Sequence, residues 1–330
     1  MGSGDKNPVH LLKLGKGELL MDKDIADKRG AQHLLCEDGY PIEATLYQAN
    51  APRGTIIIAP ALAATRSFYA DFAGYLASQH FDCLTFDYRG TGDSLAKTEP
   101  YAVAIEDWGK QDIEAVIRFA TERRGGLPEH HPIHLLGHSI GGQLVGLAPS
   151  SRDLTRIVHV AASAPYWRRW PFPLNARMLA VSRVLIPYLS AFRDQFPSRR
   201  LGLGGVDIPA SVSRKWARWM RSPDYLFDPR FGLDLSGYQA LEQPLLSWSF
   251  SDDDMAPDAN VAHLLTHFPN AQVTRRHLDV SNFQKGAVRH AGFFKPRFEK
   301  TLWQETIEWL MNAEATIPAQ PRHTREPETE

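Results

Sequence analysis

The sequence predicts an α/β fold: a mostly parallel central sheet flanked by helices and interrupted by an inserted helical cap. Three observations lead there. Residues 55–59, 83–87, 133–136 and 157–160 are short apolar or β-branched runs without strict alternation, the pattern of strands covered on both faces. Between them apolar residues recur at helical spacing, most clearly over 105–121, where Trp108, Ala115 and Phe119 interleave with Ile113, Val116, Ile117 and Ala120. This strand and helix alternation, the mark of a doubly wound sheet, stops at Pro165 and resumes near Pro244, leaving roughly 80 residues as an insertion.

In chain order, residues 1–30 form an N-terminal extension. Its leucines, Leu11, Leu12, Leu14, Leu19 and Leu20, are broken up by Lys13, Lys16, Glu18 and Asp22, so no continuous apolar stretch of secretory-signal type exists. Residues 32–47 alternate on either side of Asp38-Gly39, a dipeptide suited to a tight hairpin, and an antiparallel pair therefore opens the fold. The core spans 31–164, the cap 165–243, and the core resumes over 244–313. In that last part, 245–250 and 273–277 are strands, and 297–312 is a closing helix that turns Phe298, Leu302, Ile307 and Leu310 to the sheet. Residues 314–330 are rich in proline and charge with little to bury, and read as a disordered tail.

Composition excludes several classes of function. A chain of 330 residues, 43% of them hydrophobic, can bury a large core. Its net charge of -1 supplies no global pull toward nucleic acid or membrane. The longest apolar run, 55–64, is about half of the ~20 residues a membrane-spanning helix needs, and it contains Pro60. Two cysteines, Cys36 and Cys83, are too few for a disulfide framework and lack metal-ligand spacing, which favours buried thiols in a cytoplasmic protein without metal.

Gly137-His138-Ser139-Ile140-Gly141 is the motif with most chemical content. It follows a strand and precedes a helix-like stretch, and a chain that folds straight from one into the other crowds its own backbone. Glycine on both sides of the apical Ser139 relieves that crowding. The turn exposes the serine hydroxyl and sets the Ile140 amide at a helix start, ready for a developing oxyanion. A serine hydroxyl is a weak nucleophile at neutral pH, so it needs a general base, and the base needs an orienting carboxylate. Downstream, Ser251-Asp252-Asp253-Asp254 follows the 245–250 strand at its carboxyl end, where open α/β sheets place their sites. Among thirteen histidines, His290 stands in a glycine-containing loop between the last strand and the closing helix. His277, inside or just after the strand, is second to it, and His138 points to the far side of the turn.

The order Ser139, acid, His290 and several separate segments resemble the α/β-hydrolase superfamily over residues 31–313. The segments are Ala59-Pro60-Ala61-Leu62-Ala63 with Arg66-Ser67-Phe68-Tyr69, Phe86 to Ser94 through Asp87-Tyr88-Arg89-Gly90, Trp216-Ala217-Arg218-Trp219, and His290-Ala291-Gly292-Phe293-Phe294. These are similar to a bacterial subgroup of uncharacterised predicted serine hydrolases. The resemblance implies Asp253 as the acid, because Pro257 follows it as in many members, with Asp252 as the alternative. It implies a second oxyanion amide at Leu62 or Ala61, and it makes Asp87 and Arg89 structural. The chain departs from the common pattern in having Pro60-Ala61 for His-Gly, and Ala63 for a glycine. The activity implied is that of a cofactor-independent serine hydrolase acting on an ester or thioester. An acyltransferase using the same three residues, or a non-catalytic binding protein on this scaffold, are the alternatives.

From residue 166 to 230 the cap carries twelve basic residues against four acids. Trp167, Trp170, Trp216 and Trp219, with Phe172, Tyr188, Phe192 and Phe196, are interleaved with them. An aromatic lid with a cationic rim suits a small acyl substrate, with or without an anionic group. Nucleic acid is not expected, since no compact recognition motif accompanies the charge. Gly202-Leu203-Gly204-Gly205 lacks the lysine and preceding strand of a phosphate loop and reads as a lid turn. No feature points to an oligomeric state.

Overall fold

The computed structural model describes residues 29–95, 103–124, 131–283 and 286–312; the extension before Arg29 and the tail after Asn312 lie outside the described residues. Strands β1 (Arg29–Leu35) and β2 (Pro41–Tyr47) form the antiparallel hairpin around Asp38-Gly39. β2 pairs antiparallel with β4 (Phe81–Phe86), and from there every neighbour is parallel: β3 (Gly54–Ala59), β5 (Ile133–His138), β6 (Arg156–Val160), β9 (Pro244–Phe250) and β10 (Gln272–Leu278). The resulting sheet has eight strands in the order β1-β2-β4-β3-β5-β6-β9-β10. β3, β4, β5 and β6 are buried along their whole length, which is why their sequences show apolar runs and no alternation.

Helices α1 (Ala70–Ser78), α2 (Glu114–Arg124), α3 (Ile140–Gln143), α8 (Asp258–Leu265) and α9 (Gln304–Met311) belong to the core. The segment between β6 and β9 carries α4 (Leu174–Ala180), α5 (Ile186–Ser190), a two-stranded pair β7 (Gln195–Phe196) with β8 (Ile208–Pro209), α6 (Ala210–Trp219) and α7 (Ser236–Ala240). α4 and α5 are one continuous rod joined by a π turn at Val181–Leu185. Pro187 explains the widened turn: it has no N–H for the carbonyl four residues back, and its ring needs the space.

Several contacts seat the inserted segment on the core. The Ala63 carbonyl accepts from the Gly205 and Val206 amides (2.8 and 3.3 Å), and the Trp170 indole donates to the Asp254 carbonyl (2.7 Å). Tyr238 and Tyr225 donate to the backbone and side-chain oxygens of Gln143 at 2.6 and 2.8 Å. Ala63 sits at φ +60°, a conformation that disfavours any Cβ, and the Gly205 and Val206 amides hold it there. Gly204 has to be glycine for a steric reason: a Cβ on it would lie 2.4 Å from the Ala63 oxygen.

Asp87 and Arg89 tie turns together. The Asp87 carboxylate accepts from the amides of Arg66 (2.7 Å) and Asp93 (3.1 Å) and pairs with the Arg66 guanidinium. Arg89 is buried and bridges Asp112 and Asp38, with Nε 2.6 Å from Asp112 Oδ1. Both cysteines are buried and free. No helix among the described residues is long and apolar enough to cross a membrane.

Candidate active site

Ser139 leaves β5 at φ +52°, ψ −114°, a strained position for a residue with a side chain. Its amide donates to the Val160 carbonyl at 2.9 Å, which fixes the turn to β6. The flanking glycines are there for close approach: a Cβ on Gly137 would lie 2.4 Å from Gly142 Cα, and one on Gly141 would lie 2.2 Å from the Ala59 oxygen. The helix after the turn is shorter than its sequence suggests. α3 ends at Gln143 and a 3-10 turn, Val145–Leu147, follows. The space there is taken by the inserted segment, since a Cβ on Gly146 would meet the Tyr238 ring at 2.5 Å.

Two loops deliver the partners. After β9, Asp253 is buried, with its side chain 1% exposed, and its Oδ1 accepts from the amides of Met255 (2.8 Å) and Ala256 (3.1 Å). Its Oδ2 lies 2.8 Å from His290 Nδ1, and His290 Nε2 lies 3.0 Å from Ser139 Oγ. A carboxylate only accepts, so Nδ1 carries the imidazole proton and Nε2 is left to accept from the serine hydroxyl. Such a chain can pass the Ser139 proton to the imidazole while the carboxylate stabilises the cation that forms.

Asp252, the alternative acid, does something else. Its two oxygens accept from the Val288 and Arg289 amides, each at 2.9 Å, so it hangs the loop that presents His290. The turn after β9, closed by the Asp253 amide donating to the Phe250 carbonyl at 3.1 Å, presents the two side chains to different partners. His277 is remote from Ser139; its Nδ1 meets Ser249 Oγ at 2.8 Å and Asp258 at 3.3 Å.

His138 and Tyr69 form a second layer that is not evident from the sequence. The Ala61 amide donates to the Tyr69 oxygen at 2.8 Å, and the Tyr69 hydroxyl lies 2.9 Å from His138 Nδ1. His138 Nε2 lies 2.9 Å from the His290 carbonyl. A carbonyl only accepts, so Nε2 bears the proton, Nδ1 accepts from Tyr69, and the ring is neutral. Burial agrees: it lowers the His138 pKa to about 3 and pushes the Tyr69 phenol well up. The relay ties the loop after β3 to the loop bearing His290. Tyr69 belongs to a segment that carries the family resemblance, yet only its contacts show what it does.

This relay also corrects one expectation. The Ala61 amide is already engaged by Tyr69 and cannot serve an oxyanion. The amides of Leu62 and Ile140 donate to no group among the described residues, and both residues line the same cavity as Ser139 and His290.

That cavity measures about 280 Å³ and runs from Ser139 beneath the segment inserted between β6 and β9, lined mainly by apolar side chains such as Met178, Val181, Ile186, Phe196 and Met220. Trp170 and Trp216 line it; Trp167 and Trp219 do not. Trp219 is wholly buried against Tyr225 and Phe231, because the amphipathic helix α6 turns it inward, and Trp167 packs beside Tyr166 and under Arg168. Of the other aromatics in the inserted segment, Phe196 lines the cavity, while Phe172, Tyr188 and Phe192 face solvent.

A strained serine after a central strand, facing histidine and aspartate loops at the carboxyl edge of a mostly parallel sheet, defines a class of fold, and the comparisons agree with it. Residues 56–296 match the model of the alpha/beta hydrolase family, and the chain belongs to that family. Among solved structures it is similar to an esterase of Pyrococcus furiosus (TM-score 0.55, 14% identity, covering 92% of this chain and 96% of that one). It is also similar to an esterase from Exiguobacterium antarcticum (0.56, 15%, 86% and 100%) and to a monoacylglycerol lipase of Paleococcus ferrophilus (0.50, 16%, 82% and 98%). At these identities the likeness is one of fold. No curated relative matches the sequence.

Proposed function

We propose that this protein is a serine hydrolase that cleaves a carboxylic ester or thioester with an apolar acyl group. The observation that carries the reading is the unbroken hydrogen-bond chain from Asp253 through His290 to Ser139, opening on an apolar cavity. Ser139 Oγ attacks the acyl carbon as His290 Nε2 takes its proton. The carbonyl oxygen becomes an oxyanion received by the Leu62 and Ile140 amides. His290 then protonates the departing alcohol or thiol. Water, deprotonated by the same nitrogen, cleaves the acyl-enzyme and restores the serine. The segment over 165–243 acts as a cap that walls the acyl-binding cavity, with Trp170 and Trp216 in its lining. The esterase and lipase names of the structural neighbours favour this chemistry.

The test is covalent. A fluorophosphonate should add one equivalent of mass to the native protein and none to Ser139→Ala, and the variant should lose ester hydrolysis while keeping its unfolding midpoint. Unchanged hydrolysis by Ser139→Ala would end the proposal. With nitrophenyl esters of increasing length, each added methylene should raise kcat/KM by about threefold to fourfold until the cavity is filled.

A further inference from the structure

The rod of α4 and α5 has two different sides. Met178, Val181 and Ile186 face the cavity. On the outside, and just beyond the two ends of the rod, stand large apolar side chains in contact with water: Phe172 is 82% exposed, Val184 64%, Tyr188 74% and Phe192 94%. Leu185, Leu201 and Leu203 line the cavity and are also 38%, 40% and 46% exposed, so they mark its mouth. The mouth therefore opens beside these outward groups, on a surface far more apolar than scattered exposed residues require.

The charge of this surface is predominantly positive, with Asp194 and Asp207 as its exposed carboxylates. Of the twelve basic residues between 166 and 230, only Lys215 and Arg230 form ion pairs among the described residues, with Glu106 and Asp228. Arg177, at the cavity lining, and Arg183, Arg193, Arg199 and Arg200 are exposed, with no side-chain partner among the described residues. Unpaired guanidinium groups beside exposed phenyl and phenol rings match an interface that is anionic at its surface and apolar a few ångströms below.

We propose that this face of the cap docks on an anionic phospholipid bilayer, with Phe172, Tyr188 and Phe192 inserted at headgroup depth and the arginines against lipid phosphates. The cavity mouth then opens toward the membrane, and an apolar substrate can pass from the bilayer without crossing water. A second copy of the chain fits this surface poorly: a two-fold contact would set the same arginines against each other. A protein groove would bury the rings but would leave the spread of unpaired positive charge along and beyond the rod unexplained.

The experiment is sedimentation of the full-length protein with vesicles of phosphatidylcholine alone or mixed with phosphatidylglycerol. Binding should be confined to the mixed vesicles and should weaken steeply with added salt. The exposed-side-chain variant Phe172→Ala/Tyr188→Ala/Phe192→Ala should lower the partition coefficient at least about tenfold. Arg183→Glu/Arg193→Glu should abolish the preference for anionic vesicles. Hydrolysis of a water-soluble short nitrophenyl ester should be unchanged in both variants, so the docking surface and the Ser139 assignment are tested separately. No binding to mixed vesicles, equal binding to both vesicle types, or binding indifferent to both variants would overturn the proposal. So would a native dimer in size-exclusion chromatography that the triple variant dissociates, since the face would then belong to a second copy.

Discussion

Asp252 and Asp253 are neighbours with the same chemistry and different work. Asp253 meets the imidazole, and Asp252 meets the backbone that carries the imidazole. On the proposed mechanism, Asp253→Asn should lower kcat about 10³- to 10⁴-fold, because an amide in place of the carboxylate favours the wrong imidazole tautomer. Asp252→Asn retains an acceptor for only part of the loop and should cost far less in kcat, with the larger loss in thermal stability. Steady-state kinetics and unfolding midpoints of the two variants check the assignment, and equal losses in kcat would contradict it. Sequence alone narrowed the acid to this cluster, since an aspartate run after a strand is visible in one dimension. The direction of each side chain is a property of the loop, and loops take their shape from distant contacts. The same holds for Ala61 and Leu62, consecutive amides of which Tyr69 occupies one.

At the scale of elements, the strands were legible because burial on both faces leaves a mark in composition. Residues 133–136, read as a strand, begin β5, which runs on to His138. Helices were legible where their apolar face is long: residues 105–121 overlap α2 and the π turn that leads into it, Trp108–Ile113. α1 escaped notice, as it is short, nine residues, and includes Gly74. The junction of the inserted segment with the sheet was hidden too. Ala63 looked like a substitution for a needed glycine, and the structure shows how the chain accommodates it: the Gly205 and Val206 amides hold its carbonyl, and Gly204 leaves room for its atoms. Gly204→Ala should therefore push the cap loop off the turn that bears Leu62. We expect a loss of about 1–3 kcal/mol in stability and a fall in kcat/KM larger than any change in fluorophosphonate labelling of Ser139, measured on the same preparation.

At the scale of the whole molecule, histidines among the described residues are buried deeply enough to stay neutral. Burial lowers His134, His138 and His159 from 6.5 to about 3, and lowers half-buried His267 to about 4. The unfolded chain takes up these protons as pH drops below about 6.5, whereas the folded chain resists until near 4 at His267 and near 3 at the others, so the unfolded state binds more protons across that window. Stability is full above the window and is lost as pH falls through it, each fully buried histidine contributing up to about 1.4 kcal/mol per pH unit and solvent-screened His267 less. Urea midpoints measured downward from neutral pH should show this slope. His159→Leu, which removes a ring whose nitrogens have no partner, should reduce the histidine contribution by about a quarter. A slope unchanged by the substitution would count against a neutral buried His159.

The amino-acid sequence by itself determined the class of fold, the position of the elbow serine, and the kinds of residue that meet it, because burial and tight turns impose periodicities and glycines that a linear reading detects. Tertiary structure decided which of two adjacent aspartates faces the imidazole, which of two adjacent amides stays free, and which aromatics of the inserted segment line the cavity or meet solvent. Those choices depend on side-chain direction, and direction at a loop or helix surface is set by hydrogen bonds and packing from segments far away in the chain.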